Sequence, residues 1–456
     1  MTKKFPTILI LHLKIIIIAS YYINESINHP EITITNFTFG CGYYGRYTYN
    51  KNIFKTINKH NSNLFIFLGN IVNINKPDFF FLFKNTINNN WTLAKKIYKQ
   101  AKEEIYYKKL SKEKPIIGIW DEYDYGIKYG NKYYKDKEIS KKLFLNFLNF
   151  PKDNELYKLN RGLYTTYSFG KNYKSVRIIL LDLRFYKSSF FSIFSDNLGI
   201  KQWTWLENIF KNYNETLTFI GSSIQFLPIN RLLTENWFIK SREKLFNLIS
   251  KYKKNGIIFL SGNVNFAQIT KTFCVHPKIG YNLYEITSSN IGYNNYFKFS
   301  YFIDNILPND YNINKSFDGI NFGEIKINWG NSINDIVITF NIFDENDNKK
   351  ITLDLNYNKD LVFNRENIEN IDCIYLLNKR FKTPFQYFNY YMNNKNELPI
   401  GFIYLFCIMF LIQVFLSKRN IMIFFSIFIL FFSSFIGFYF KIDIEKEKNF
   451  IYANLF

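Results

Sequence analysis

The sequence predicts an α/β protein that carries a membrane hairpin near its C-terminal end. Three observations lead to this fold class. Short apolar runs rich in β-branched and aromatic residues end at glycines and alternate with segments of helical periodicity. After about residue 320 the helical segments stop and strand-like segments follow one another. Two long apolar runs, 399–417 and 421–440, then follow.

The N-terminal residues 1–20 predict a signal peptide or a signal anchor. Lys3 and Lys4 precede an apolar run that ends near small residues, which is the pattern of such segments. The alternative is a buried first strand, because His12 and Lys14 interrupt the run.

The predicted core is a series of strands and helices between residues 30 and 360. A closing run of antiparallel strands is expected after residue 320. The strands are predicted at 32–39, 64–69, 115–120, 176–181, 217–220, 257–260, 324–328, 336–343 and 351–355, and the helices at 140–150, 201–212 and 241–252.

The two apolar runs near the end, 399–417 and 421–440, predict a transmembrane helical hairpin. Each has roughly the 20 residues that a helix needs to cross the hydrocarbon core. Lys418 and Arg419 lie between them and place the loop on the cytoplasmic side. We therefore expect a lumenal or extracellular main domain, in the secretory pathway or at the cell surface, with membrane lipid as a partner. Asn-x-Ser/Thr triplets, which support this topology faintly, begin at Asn24, Asn36, Asn90, Asn214 and Asn314.

Charge distribution and cysteine spacing argue against two classes of function, nucleic-acid binding and structural zinc binding. The 456 residues carry a formal net charge of +21, but the lysines are scattered and form no long basic block. This indicates a solvated lysine-rich surface rather than nucleic-acid binding. The four cysteines include no Cys-x-x-Cys pair, which argues against a structural zinc site. Cys41 is expected to be buried, and a Cys274–Cys373 bridge is left open.

A candidate site follows the strand predicted at 257–260. The strand ends at Ser261-Gly262, and Asn263 and Asn265 come next. Two side chains at i and i+2 on extended backbone point the same way, towards a cleft at the edge of the sheet. This is where an α/β enzyme would hold metal or substrate. An amide oxygen, however, is a weak neutral ligand.

Ten segments follow one another along the chain: FTFGCG, LFIFLGN, IGIWDEYDYG, RGLYTTYSFG, VRIILLDLRFYK, LGIKQWTWLE, FIGSSIQFL, ENWFIKSREKLFNLI, IIFLSGNVNFAQI and YEITSSN. In this order they resemble the PhoD-like phosphatases, the alkaline phosphatase D group of the metallophosphatase superfamily. The resemblance runs from about Ile32 to Phe343. It implies a metallophosphatase-like two-sheet sandwich flanked by helices, with site residues on loops at the strand ends. It also implies a domain at 30–345. The strand pattern at 351–355 and the hairpin beyond it predict a strand extension and juxtamembrane segment at 346–397.

The resemblance also implies the site positions, and most of them have lost their ligand type. The family has a metal-bridging aspartate where this chain has Asn70, and Ser-Gly-Asp-x-His where it has Asn263 and Asn265. The histidine of Trp-Asp-Asp-His-Asp is Tyr123. The site positions carried over are Cys41, Asn70, Asp121, Tyr123, Asp124, Asn263, Asn265 and Tyr293.

This loss predicts a pseudophosphatase that binds no metal cofactor. A binuclear centre concentrates about five positive charges within ~4 Å and needs several carboxylates and imidazoles. Neutral amides cannot replace them. With fewer carboxylates, the pocket is expected to be more electropositive and to take an anionic small molecule or a lipid head group.

Two other functions are left open. One is a divergent phosphoric ester hydrolase whose binuclear centre, iron with calcium or zinc, is held by Asp121, Glu122, Asp124 and Asp182. The other is a basic lumenal adhesion or assembly factor. Asp182 and Arg184 are expected to form an ion pair or to close the floor of the site. His60 is expected to be an ordinary surface histidine.

Overall fold

The computed structural model places two β-sheets face to face, with helices on their outer surfaces. It describes residues 26–43, 53–72, 91–189, 195–228, 235–272, 279–292, 313 and 316–363. The strands of this part are β1 (Ser26–His29), β2 (Asn36–Gly40), β3 (Phe65–Leu68), β4 (Ile116–Ile119), β5 (Thr165–Phe169), β6 (Val176–Leu181), β7 (Leu217–Ser222), β8 (Ile257–Ser261), β9 (Gln268–Lys271), β10 (Tyr284–Thr287), β11 (Asn321–Asn328), β12 (Val337–Asp344) and β13 (Lys349–Asn356).

The helices of the described residues lie between these strands, except α8, which follows β13. Most are amphipathic, and α4 and α8 are single turns. They are α1 (Ile53–Lys59), α2 (Trp91–Glu103), α3 (Ile105–Glu113), α4 (Glu122–Tyr125), α5 (Lys137–Phe147), α6 (Gly199–Asn212), α7 (Ile239–Lys251) and α8 (Tyr357–Asp360).

The strand order brings the ends of parallel strands to one edge of the sandwich. The first sheet has the order β1-β5-β6-β7-β8-β10-β9, and β6, β7, β8 and β10 run parallel. The second has the order β13-β12-β11-β2-β3-β4, and β2, β3 and β4 run parallel. A parallel bridge between Cys41 and Ser289 joins the two sheets at this edge. The loops that follow these strands therefore meet there, as is usual for ligand sites in α/β folds.

Apolar side chains from both sheets fill the space between them. Phe37 of β2 meets Phe219 of β7 edge to face, with ring centroids 4.9 Å apart. On the outer face of the first sheet, Leu206 of α6 and Leu245 of α7 pack in a second buried cluster with Ile220. Burial of this kind is the main favourable term in folding.

The predicted two-sheet α/β sandwich is confirmed. The strand predicted at 176–181 has the predicted bounds, and the helices predicted at 201–212 and 241–252 start two residues earlier. The strand predicted at 32–39 is shorter and starts only at Asn36. The helices α2 and α3 were not predicted. The sheet also continues beyond residue 345, because β13 pairs with β12.

The predictions about the membrane concern other parts of the chain. The predicted signal at 1–20 and the spans at 399–417 and 421–440 lie outside the described residues. Among the helices that the structure describes, none is both long and apolar enough to cross a membrane. Cys274, Cys373 and Cys407 also lie outside this part.

Candidate functional site

The loops after β3 and β4 meet through the side chain of Asn70. Its amide nitrogen donates to Asp121 Oδ2 over 3.1 Å and to Asn263 Oδ1 over 3.2 Å. Its amide oxygen accepts from the backbone N–H of Tyr123 over 3.2 Å. Asn70 is fully buried. At the position where the family has a bridging carboxylate, this amide therefore joins three loops by hydrogen bonds.

Asn70, Asn263 and Asn265 all have left-handed backbone, with φ of 56°, 62° and 62°. The prediction that Asn263 and Asn265 lie on extended backbone was therefore wrong, because the strand ends at Ser261. Asparagine adopts this conformation more readily than most residues. An asparagine here preserves the loop geometry while it removes the charge that an aspartate would carry.

The hydroxyl group of Ser289 holds the loop that contains Asn263 and Asn265. The backbone N–H groups of Val264 and Asn265 donate to Ser289 Oγ over 3.2 and 3.0 Å. Ser289 itself is almost fully buried. The sequence did not indicate this residue as a site residue, because only the sheet order brings β10 beside β8.

Cys41 is buried under the same loop, as predicted. Its sulfur accepts from the backbone N–H of Asn263 over 3.4 Å. Burial raises the pKa of the Cys41 thiol well above its ordinary value, and the charge of Asp121 raises it further. The thiolate is the form that binds metal, so a metal ion at Cys41 would have to displace this proton.

Asp121 is paired with a buried guanidinium. Arg184 Nε and Nη2 donate to Asp121 Oδ1 over 2.8 and 2.5 Å. Arg184 Nη2 also lies 2.6 Å from Glu235 Oε2, and Lys187 pairs with the other oxygen of Glu235. Both Arg184 and Asp121 are fully buried. Burial lowers the pKa of Arg184, but Asp121 and Glu122 outweigh this effect and raise it.

Asp124 is saturated by hydrogen bonds within the protein. Its Oδ1 accepts from the backbone N–H groups of Ile71 and Val72 and from the Tyr98 hydroxyl, over 3.0 to 3.2 Å. Its Oδ2 accepts from the backbone N–H of Asp121 over 3.2 Å in a capping box of α4. Burial raises the pKa of Asp124 to about 7 against the effect of these donors. This carboxyl group fixes the loops rather than facing a ligand.

Asp182 does not form the predicted side-chain pair with Arg184. Its Oδ1 accepts from Trp120 Nε1 over 2.8 Å and from the backbone N–H groups of Arg184 and Phe185 over 2.8 and 3.0 Å. Its Oδ2 accepts from the backbone N–H of Leu163 over 2.7 Å. It forms part of the buried floor, which is the other role expected for it.

Glu122 is the remaining carboxylate of the alternative metal set. Its Oε2 accepts from the backbone N–H of Tyr129 over 3.1 Å. Burial raises its pKa, while the charge of Arg184 opposes the rise. Asp121 therefore has a buried cation, Arg184, and a second buried carboxyl group, Glu122, in its surroundings.

The donor set does not fit a binuclear metal centre. Asn70 and Asn263 bond to each other, and Asp121 is paired with Arg184. Within the part of the chain that the structure describes, no three His, Cys, Asp or Glu side chains are placed to share a metal ion. Tyr293, the last of the predicted site positions, lies outside that part.

His60 differs from the prediction. It is not an ordinary surface side chain but is 11% exposed and lies 2.8 Å from both Glu324 and Asp347. It belongs to a separate ion-pair cluster on β11 and the turn after β12. No local pattern in the sequence indicates this cluster, because both partners are more than 260 residues away.

Comparison with known proteins finds likeness only among solved structures. No family model matches the chain, and no curated protein matches it. PhoD, whose family the sequence motifs resemble, is one of the similar structures: it shares 13% identity, the match covers 80% of this chain and 78% of PhoD, and the TM-score is 0.49.

Two further structures are 5′-nucleotidases by name. One, a putative enzyme from Staphylococcus aureus in complex with alpha-ketoglutarate, has 12% identity and a TM-score of 0.32; the match covers 73% of this chain and 56% of that protein. The other, a 5′-nucleotidase precursor from Thermus thermophilus, has 8% identity and a TM-score of 0.30, with 72% and 54% covered. The roles of site residues therefore rest on the geometry of this chain.

Proposed function

We propose that this chain is a pseudophosphatase: a metallophosphatase-like domain that does not hydrolyse phosphoesters through metal ions and acts as a binding or structural module. The observation that carries this proposal is the amide of Asn70, which bonds to both Asp121 and Asn263. These polar groups at the strand ends are thus already satisfied by neighbours within the protein.

The charge balance supports the same conclusion. A metal pair needs several anionic ligands that are free to face it. The buried carboxylate of Asp121 instead has Arg184 as its counter-charge at 2.5 to 2.8 Å. A metal ion that bound to Asp121 would have to displace this guanidinium or lie beside it, and like charges at such distances repel strongly.

Membrane attachment and a ligand complete the proposal. The predicted hairpin at 399–440 would hold the domain on the lumenal or extracellular side, with membrane lipid as its partner. An anionic small molecule or a lipid head group is the proposed ligand of the pocket. Arg184 supports this choice, because its Nη1 is buried and has no hydrogen-bond partner among the described residues.

The test is a metal and activity assay of the purified full-length protein. We expect no stoichiometric iron, zinc or calcium, and no turnover of a generic phosphodiester or phosphomonoester above the background of an Asp121→Ala variant. A tightly bound metal pair together with turnover that Asp121→Ala abolishes would refute the proposal. Inorganic phosphate should stabilise the wild-type protein against unfolding if the anionic ligand is correct.

The same assay decides between this proposal and the alternative hydrolase. That enzyme would hold its metals with Asp121, Glu122, Asp124 and Asp182. In the structure, Asp124 and Asp182 accept bonds from buried donors on both oxygens. Metal binding would require these bonds to break. The adhesion or assembly alternative would be supported instead by salt-sensitive co-purification of one defined partner.

A further inference from the structure

The outer edge of β13 has no partner strand in the described part of the chain. β13 lies at the end of the second sheet and pairs with β12 alone. It is eight residues long, and its pairing is regular from Ile351 to Asn356. An edge strand of this length presents unpaired N–H and C=O groups that can pair with another strand.

The side chains of β13 alternate between two faces. Ile351 and Leu355 are 5% and 2% exposed and pack in the core between the sheets. Lys350, Thr352 and Asp354 are exposed and belong to the opposite face. Lys350 stands at a β-bulge, where the pairing with β12 shifts between Ile342 and Phe343. Along the strand, that face presents a cation, a hydroxyl and an anion. This order is complementary to itself when the direction is reversed.

We propose that β13 pairs antiparallel with β13 of a second copy of this chain, about a twofold axis at Thr352. Lys350 of each copy then lies opposite Asp354 of the partner subunit, and Thr352 lies opposite Thr352 of the partner subunit. The two second sheets join into one continuous sheet. The interface is isologous, as twofold symmetry requires. This pairing of strands does not depend on what the pocket binds.

The charges select this register. An axis perpendicular to the sheet keeps the exposed faces together whichever residue lies on it, because moving the axis by one residue shifts the register by two. A centre at Ile351 or Leu353 would place Lys350 and Asp354 opposite neutral residues. A centre at Asp354 would place two carboxylates opposite each other, which is destabilising. The centre at Thr352 gives two opposite-charge pairs. It also places Ile351 opposite the partner subunit's Leu353, which is partly buried and packs against the core.

The contacts within the chain leave these groups able to pair. Lys350 lies 3.0 Å from Asp344, and Asp354 Oδ1 accepts from Thr339 Oγ1 over 2.5 Å. An ammonium has three donors and a carboxylate has about four acceptor sites. Each group therefore retains capacity for a partner across the edge.

Disulfide cross-linking tests the register in the purified full-length protein. Directly opposite residues in antiparallel strands have Cα atoms roughly 4.5–5.5 Å apart, within the range of a disulfide. Thr352→Cys should therefore form a covalent dimer on mild oxidation. The matched control is Thr339→Cys, on the same face of the neighbouring strand, which should not exceed the wild-type background. The proposal would be overturned if Thr352→Cys formed no dimer, for example because residues after 363 cover the edge.

A charge exchange tests the same pairs without cysteine. Lys350→Asp places like charges opposite each other, and should raise the dimer dissociation constant on the order of tenfold in sedimentation velocity. The double variant Lys350→Asp/Asp354→Lys should restore it. If the single variant leaves the constant unchanged, or if the wild type is monomeric at every concentration, the proposed pairing is wrong.

Discussion

Asn70 Nδ2 lies 3.1 Å from Asp121 Oδ2 and donates a hydrogen bond to it, at the point where β3 and β4 end. An aspartate at position 70 could not make this bond, because an ionised carboxylate is an acceptor only. The asparagine thus satisfies a buried carboxylate with a neutral group. We expect the site to be stable in the absence of metal for this reason.

The first prediction concerns restored carboxylates. In Asn70→Asp/Asn263→Asp, three carboxylates would lie together without the amide donor. We expect the variant to lose about 1–3 kcal/mol of unfolding free energy without metal, since buried acceptors lose their partners. Added zinc, calcium or iron should recover part of it, because a cation bound to the native state stabilises it. Urea unfolding with and without metal measures both effects.

The control for this variant is Asn154→Asp, which adds a carboxylate outside the pocket, at the turn before Glu155–Tyr157. It should show no response to metal. A metal response of the same size in the wild type would contradict the interpretation of the site as sealed by amides.

The second prediction concerns the counter-charge. Arg184→Met leaves Asp121 and Glu235 with less positive charge in a buried setting. Loss of one partner of a buried ion pair costs about 3–5 kcal/mol. We expect a loss of this size in the free energy of unfolding. Lys251→Met removes a cation from an exposed pair with Glu207 and should change the stability little. Equal effects of the two variants would show that Arg184 contributes no more than a surface charge.

The sequence predicted the architecture well because strand and helix patterns are local. The apolar run of β8 and its glycine predicted the position of the site loop from a short stretch of chain. The motifs around Asp121 and Asn263 also indicated that both belong to one site. The contact between their loops requires the sheet order, and the chain separates Arg184 from Asp121 by 63 residues.

Other features could not be predicted from the sequence, because they depend on tertiary contacts or are hidden by the high lysine content of the chain. The left-handed φ of Asn263 and Asn265 belongs to a loop whose backbone N–H groups bind Ser289, a contact between distant parts of the chain. The helices α2 and α3 are rich in lysine, and lysine is spread through the whole chain, so their polar faces did not stand out. The role of Glu235 as a partner of Arg184 emerges only once the loop before α7 is placed beside the end of β6.

The third prediction concerns the close approach at Gly69. This residue has φ of 101°, and a Cβ atom there would lie 2.4 Å from Asp121 Cβ. Gly69→Ala should therefore both strain the backbone and displace Asp121, at a cost of about 1–3 kcal/mol. Gly280→Ala is the control: its φ is 78°, and its Cβ would meet the ring of Phe363, which is 49% exposed and can move. Thermal unfolding of both should show the larger loss at Gly69. The reverse order would contradict a fixed position for Asp121.

The last prediction is a pH dependence that arises from His60. Burial alone would lower the pKa of His60, but its hydrogen bonds to Glu324 and Asp347 outweigh this effect and raise the pKa above its ordinary value. Burial likewise works against the charge of Glu324, while His60 and Asn341 lower the pKa of Glu324 to about 2. Both shifts favour the charged pair in the folded protein.

The sign of the effect follows from linkage. Because the folded pKa of His60 is higher than the unfolded value of roughly 6.5, its stabilising contribution is complete below that value and is lost as the pH rises through the folded pKa. The contribution of Glu324 is present above its ordinary value and is lost as the pH falls towards its folded pKa of about 2. His60→Gln should therefore flatten the decline of unfolding free energy above roughly pH 6.5, as measured by urea titrations at a series of pH values.

The control for this variant is His29→Gln, which alters a contact with the exposed Glu31 and should leave the profile unchanged. Parallel profiles of His60→Gln and the wild type between roughly pH 6 and 9 would mean that the two carboxylates do not hold the imidazolium. The cluster would then stabilise the second sheet only by the packing of the His60 ring against Phe322 and Phe343.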